Sequence, residues 1–194
     1  MANLVFVYSA MNSGKSAALL TSAYNYKERG MGTLLIKPGI DTRDSESEIV
    51  SRIGLKQEAN VIKPDMNIFE FYKWAATQRD IHCVFADEAQ FFTKEQIFQL
   101  AEISDHYEVP VMAYGLRTDF RGELFEGSKA LLALADKFIE LKAVCHCGRK
   151  ATMTARINSS GEAVTTGEVV QLGSEDTYTS LCRKHWVELT GINK

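Results

Sequence analysis

A chain of 194 residues accommodates one ordinary domain with a sizeable core, or one domain with a small appended module. Its 22 Lys+Arg against 25 Asp+Glu leave a formal charge of −3, so no global basic field draws it to nucleic acid or to anionic lipid. No basic segment precedes the first apolar run, and neither that run nor Ala130-Leu131-Leu132-Ala133-Leu134-Ala135 has the length of a membrane span. These features predict a globular, cytoplasmic protein.

Leu4-Val5-Phe6-Val7-Tyr8 is a continuous apolar run, which predicts a buried strand. It leads into Ser9-Ala10-Met11-Asn12-Ser13-Gly14-Lys15-Ser16. That stretch meets the phosphate-loop pattern G-x-x-x-x-G-K-[ST] at Gly14, Lys15 and Ser16 and opens with serine where the pattern has glycine. Leu20, Ala23 and Tyr24 recur behind it at helical spacing, with Gly30 and Gly32 as the stop. Further strands are predicted at Thr33–Lys37, His82–Ala86 and Val109–Tyr114, the last with Pro110 at its entry. Between them Thr93 and Gln96 form a capping box for a helix with the stripe Ile97, Leu100 and Ala101, running to about His106. Short apolar strands alternating with amphipathic segments predict an α/β core, a parallel sheet covered by helices, over residues 1–141.

Lys37 to Gly54 is polar and aperiodic over most of its length, and Gly115 to Gly127 sets Arg117, Asp119, Arg121 and Glu123 around Phe120. Such long loops are usually functional. In open parallel sheets ligands sit beyond the carboxyl ends of the strands, where the loops after Tyr8, Ala86 and Tyr114 all fall. From Lys142 the texture changes. Ala151, Met153, Ala155 and Ile157 alternate with Thr152, Thr154 and Arg156, predicting a half-buried antiparallel strand, and Asn158-Ser159-Ser160-Gly161 is a turn. A small β-rich module is expected over residues 142–194.

In a phosphate loop the backbone N–H groups and helix N-terminus surround the phosphates, the lysine neutralises charge toward the γ-phosphate, and the hydroxyl holds magnesium. Cys83-Val84-Phe85-Ala86-Asp87-Glu88-Ala89-Gln90 supplies the complement, an acidic pair at the end of a buried strand. Asp87 assists Ser16 at magnesium, and Glu88 is placed to deprotonate either water or a substrate hydroxyl. The nucleophile it serves decides between an ATPase and a kinase. Residues 9–16 and Asp87, Glu88, Ala89 and Gln90 are thus the candidate ATP-binding residues.

The second constellation is Cys145-His146-Cys147 with Cys182-Arg183-Lys184-His185. Cys145, Cys147, Cys182 and His185 fit a closed, structural zinc site, which would staple a module too small to bury much core. The alternative is a set of reduced, unligated cysteines. His146 is a rival ligand, although adjacent residues of an extended pair point apart. His82 and His106 are assigned structural places.

Together these residues resemble the thymidine kinases of the type found in many bacteria and in animal cytosol, and especially the enterobacterial-like branch. The resemblance rests on residues 8–16, Asp87-Glu88-Ala89-Gln90-Phe91, Tyr114-Gly115-Leu116-Arg117-Thr118-Asp119-Phe120, residues 145–150 and residues 178–185. It implies a phosphate-loop α/β core with a zinc-bearing β module, assembled as a homotetramer. It also implies transfer of the ATP γ-phosphoryl group to the 5′-hydroxyl of thymidine, and of deoxyuridine, to give the monophosphate. Glu88 looks like the base, and Ser16 with Asp87 like the magnesium partners. Phe91, Leu116 and Phe120 resemble residues enclosing the thymine, and Met11 the neighbour of its 5-methyl group. A lasso loop over the base maps onto Val169, Val170, Gln171, Leu172 and Gly173, with Tyr178 behind it. Asp41-Thr42-Arg43 resembles a segment near the phosphates. Feedback by dTTP is implied, and neither nucleic acid nor membrane is an expected partner. Ser9 and the tight C-x-C spacing depart from the wider family pattern and match this branch. The rival reading is a nucleic-acid-stimulated phosphate-loop ATPase with a zinc module, since Asp87-Glu88-Ala89-Gln90 also looks like a helicase acidic motif.

Overall fold

The structure, a computed structural model, describes residues 2–39, 47–169 and 177–192. In chain order the core comprises β1 (Leu4–Ser9), α1 (Lys15–Glu28), β2 (Thr33–Pro38), the short strands β3 (Glu48–Val50), β4 (Lys56–Glu58) and β5 (Asn60–Ile62), then α2 (Ile68–Gln78), β6 (Cys83–Ala86), a 3₁₀ turn (Ala89–Phe91), α3 (Lys94–Tyr107), β7 (Val111–Leu116), α4 (Glu126–Leu134) and β8 (Lys137–Glu140). The C-terminal part holds β9 (Ala143–Val144), β10 (Lys150–Ala151), β11 (Met153–Ile157), β12 (Ala163–Val164), β13 (Thr177–Leu181) and α5 (Arg183–Thr190).

Six strands form one sheet in the order β5-β2-β6-β7-β1-β8, with every pairing parallel. Both faces are covered, which explains why the strands read as unbroken apolar runs. Leu4, Phe6, Leu34, Ile36, Val84, Ala86, Val111 and Ala113 pack on one side against residues of α2, α3 and α4. Val5, Val7, Leu35, Cys83, Phe85 and Tyr114 pack on the other against Leu19, Leu20 and Ala23 of α1. The α/β core is therefore as the alternation of elements predicts.

The differences are local. β7 begins at Val111 because Pro110 has no N–H for the ladder; its carbonyl instead accepts from Val84 N–H at 2.9 Å. β6 begins at Cys83, since His82 is taken up by Gly32, whose N–H donates to His82 Nδ1 at 3.2 Å. The end of the aperiodic Lys37–Gly54 stretch is ordered into a hairpin, β3 pairing antiparallel with β4. α2 has an N-cap that the sequence reading did not identify: Asn67 accepts from Glu70 N–H at 2.9 Å. The capping box at Thr93 and Gln96 forms as expected.

In the C-terminal part β11 lies between β12 and β13 in a three-stranded antiparallel sheet. Ala155 joins a small core with Cys145, Leu181, Cys182 and Trp186. The polar face of the predicted alternation is not solvated: Thr154 and Arg156 are both 3 % exposed. They face the phosphate-loop domain, which accounts for a polar face inside the molecule.

Candidate active site

The phosphate loop joins β1 to α1. Its left-handed residues are Asn12 (φ 61°) and Gly14 (φ 78°). Ser9 adopts no positive φ, so the freedom of a glycine is not needed there. Its hydroxyl instead donates to Ala10 O at 2.8 Å and meets the Ser13 hydroxyl. Ser13 Oγ also donates to Ala10 O, at 3.0 Å. The lysine of the motif, Lys15, is buried, with Nζ 3.5 Å from Ala10 O. Burial pushes its pKa down, and the charges of Glu88 and Asp87 oppose that shift.

Asp87 stands directly at the carboxyl end of β6, 5 % exposed. Its Oδ2 accepts from Ser16 Oγ at 3.0 Å, while Oδ1 is buried and has no partner. Burial foremost, with the charge of Glu88, raises its pKa to about 7 against the Ser16 hydrogen bond. A buried carboxylate oxygen left over beside a hydroxyl fits a hard, oxygen-seeking cation such as magnesium. Glu88 follows in the left-handed region (φ 48°), a conformation that non-glycine residues keep only where the surroundings enforce it. Gln90 holds its carboxylate. Its side-chain Nε2 donates to Glu88 Oε2, and its Oε1 accepts from Leu116 N–H at 3.0 Å. Gly115 permits this approach, since a Cβ there would meet Gln90 Oε1 at 2.8 Å.

A cavity of about 460 Å³ lies over the loop. Met11, Asn12, Ser13, Gly14, Lys15, Ser16, Glu88 and Gln90 line it, as do Phe91, Leu116, Phe120, Val169 and Tyr178. Ser9, Ala10, Asp87 and Ala89 lie behind this wall, all buried. The ring of Phe91 meets that of Phe125 edge-on at 5.5 Å. Phe120 carries the guanidiniums of Arg156 and Arg121 at 5.3 and 5.8 Å from its centroid. Val170, Gln171, Leu172, Gly173 and Asp41-Thr42-Arg43 lie outside the described residues.

Sequence reasoning missed how the C-terminal sheet grips the loop. Met11 N–H donates to Thr154 Oγ1 at 3.2 Å, Ser180 Oγ donates to Met11 O, and Asn12 Nδ2 donates to Tyr178 O at 3.3 Å. It also missed Val50, Ser51, Arg52 and Ile53 on the cavity wall. Their signal was the Glu48-Ile49-Val50 β-prone triplet followed by Ser51-Arg52-Ile53-Gly54, a strand running into a turn.

Cys145, Cys147, Cys182 and His185 have their ligand atoms within 4.8 Å of one another. Cys147 Sγ is 3.9 Å from Cys182 Sγ, and His185 Nδ1 lies 3.3 and 3.4 Å from the sulfurs of Cys145 and Cys182. Metal–ligand bonds of about 2.0–2.3 Å in a tetrahedron give edges of about 3.3–3.8 Å, so the set is consistent with a structural zinc site. Desolvation pushes the Cys145 thiol up, but the backbone N–H groups of Cys147 and Cys182 and the His185 ring outweigh it and bring it to about 5. His146 is exposed and stacks on the His185 ring at 4.3 Å.

A phosphate loop facing an acidic strand end, with an apolar aromatic compartment in the same cavity, defines a nucleotide-dependent phosphotransferase of the P-loop α/β class. A family model described as thymidine kinase matches residues 2–186. The chain is 68 % identical over 190 residues to a thymidine kinase of Enterobacteria phage T4, covering 98 % of each protein. It is 54 % identical over 187 residues to one of Legionella pneumophila (strain Lens), covering 96 % of this chain and 90 % of that protein. It is 49 % identical over 191 residues to one of Mannheimia succiniciproducens, covering 98 % of each. The chain belongs to the thymidine kinase family, and its activity is that of an ATP-dependent thymidine phosphotransferase. This sets aside the nucleic-acid-stimulated ATPase. Among the described residues no helix is long and apolar enough to cross a membrane.

Proposed function

We propose that Glu88 accepts the proton of the thymidine 5′-hydroxyl as that oxygen attacks the γ-phosphorus of ATP, giving dTMP and ADP. Deoxyuridine is the second acceptor. The observation that carries this reading is that Glu88 shares one cavity wall with Lys15 and Ser16 while Gln90 fixes its carboxylate. Catalysis is then mostly positioning and charge compensation. Lys15 and the loop amides of residues 9–16 hold the phosphates. Ser16 and Asp87 would hold magnesium, which would supply charge neutralisation at the phosphates. Burial of the Lys15 ammonium strengthens its pull on a phosphate, because little water screens it.

Met11, Phe91, Leu116 and Phe120 enclose the base, with Val169 and Tyr178 on the same cavity wall. Water is thereby kept from the γ-phosphoryl group. The Cys145, Cys147, Cys182 and His185 set would hold a structural zinc that staples the module of residues 142–194 internally. By family likeness the protein works in the cytoplasm as a homotetramer, with dTTP as feedback inhibitor. Labelled ATP offered with thymidine, deoxyuridine, deoxycytidine or single-stranded DNA tests the acceptor assignment. Label passes to thymidine and deoxyuridine if it holds. Label released only as inorganic phosphate would overturn it.

A further inference from the structure

Arg156 is the most deeply buried arginine among the described residues, yet it is not part of the cavity wall. It takes no part in the steps at the phosphates or at the 5′-hydroxyl. Burying a guanidinium costs solvation, and an apolar side chain of similar length would fill the space without that cost. Stability alone therefore gives no reason for an arginine here.

Its neighbours give one. Thr154 and Arg156 stand two residues apart on one face of β11. Thr154 Oγ1 accepts from Met11 N–H of the phosphate loop at 3.2 Å, whereas the Arg156 guanidinium lies over the Phe120 ring, 5.3 Å from its centroid. Phe120 is itself buried and still lines the cavity. Arg156 Nη1 also donates to Glu168 O at 2.9 Å, and the next residue, Val169, is on the cavity wall. Across the sheet Arg156 is in register with Tyr178 of β13, a third wall residue. One buried side chain thus joins the ring of Phe120 to the backbone beside Val169.

Arg121 also reaches the ring, at 5.8 Å, but its side chain is 37 % exposed and tied to Asp119 at 2.6 Å. Water and a carboxylate compete there for its charge. The desolvated Arg156 has the stronger attraction to the ring face. A guanidinium can also stack on a ring while it donates in its own plane, which an ammonium cannot do.

We infer that Arg156 is a positioning residue for the nucleoside. It holds the Phe120 ring and the chain at Glu168 in one arrangement, and so sets thymidine affinity while leaving ATP binding to the phosphate loop. The inference rests on the reading that Phe120 encloses the base.

The test uses the full chain with Arg156→Met, Arg156→Lys, Phe120→Ala and the double variant Arg156→Met with Phe120→Ala. Equilibrium affinity for thymidine, affinity for a non-hydrolysable ATP analogue, and kcat are measured for each. Arg156→Met should weaken thymidine on the order of 10-fold, with analogue affinity and kcat little changed. Arg156→Lys keeps the charge without the planar face and should fall between; it carries the same test if the methionine variant does not fold. In the Phe120→Ala background Arg156→Met should cost less than it does alone, because its effect passes through the ring. Wild-type thymidine affinity in both Arg156 variants, or equal losses for thymidine and the analogue, would overturn the inference. The second pattern is what a general loosening of the fold gives. If Phe120→Ala leaves thymidine affinity unchanged, the placement of the base is wrong. If Phe120→Ala weakens it and the Arg156 variants do not, only the role of Arg156 fails.

Discussion

At the scale of single residues, the chain separates groups meant to react from groups meant to stay inert by what surrounds them. Lys15 is buried yet lines the cavity, and Asp87, buried behind that wall, feels its charge. Cys83 is buried in the sheet, and desolvation pushes its thiol up to about 12 despite a smaller lowering by Tyr26. A group whose folded pKa exceeds its unfolded value holds its proton in the native state. The unfolded chain therefore loses that proton first, and the contribution to stability falls as pH rises from about 9 toward about 12. Iodoacetamide at pH 8 should leave Cys83 unlabelled in the native protein and label it in urea, as read by peptide mass. Rapid native labelling would mean that the strand opens locally. The phosphate loop and Asp87-Glu88 were legible in sequence because a short run of neighbours carries each of them. Gln90 was legible as part of the motif but not as the group that orients Glu88, since its other partner, Leu116, comes from a different strand.

Among elements, the 3₁₀ turn at Ala89–Phe91 is held from both sides by glycines. Gly115 lets β7 pass against Gln90, and Gly127 lets the first turn of α4 rest on the turn's carbonyls. A Cβ at Gly127 would meet Phe92 O at 2.8 Å and Gln90 O at 2.9 Å, along with Ala89 O. Two effects oppose each other in Gly127→Ala. Helix propensity favours alanine by about 1 kcal/mol, whereas overpacking against backbone costs about 1–3 kcal/mol. The contact is with main chain on three sides, so overpacking wins. The variant should melt about 2–6 °C lower and lose kcat, because the turn that carries Gln90 must shift. A higher Tm with unchanged kcat would show that the contact is slack. Neither glycine announces this in sequence. Gly115 and Gly127 bracket what reads as a polar loop, and their purpose appears only when α4 and the turn are brought together. The β3–β4 hairpin left only a faint signal, the short triplet Glu48-Ile49-Val50, because Ile49 is its one fully buried apolar side chain.

For the whole molecule, the C-terminal part is a second wall of the nucleotide site. Thr154, Tyr178 and Ser180 hold Met11 and Asn12 across a sequence separation of 143 to 169 residues. Trp186 Nε1 donates to Phe120 O and Thr154 O at 3.2 and 3.0 Å, tying α5 to the loop that carries Phe120. The alternation at Met153–Ile157 made β11 legible, but not that its polar face meets the phosphate loop, since period alone does not say what lies opposite. The Cys145, Cys147, Cys182 and His185 set was legible from spacing. Structural zinc in small peptides contributes about 10–16 kcal/mol, comparable with the whole stability of a domain, about 5–15 kcal/mol. Purified protein should hold about one zinc per chain. Its removal by a chelator should lower Tm and weaken ATP-analogue binding, although no zinc ligand touches the phosphate loop. A metal-free protein with unchanged Tm and nucleotide affinity would contradict this coupling.

The central claim is that the cavity positions ATP and thymidine so that Glu88 takes the proton of the attacking hydroxyl. Glu88→Gln keeps the shape and the neighbour Gln90 while removing the base. It also relieves the repulsion between Glu88 and Asp87, so nucleotide binding should not suffer. The most direct measurement is single-turnover transfer from ATP to thymidine by this variant, set beside its affinity for a non-hydrolysable ATP analogue. The account predicts a fall in transfer rate of about 10²–10⁴-fold with analogue affinity held within a few-fold. A transfer rate near wild type, or losses of equal size in rate and affinity, would contradict it.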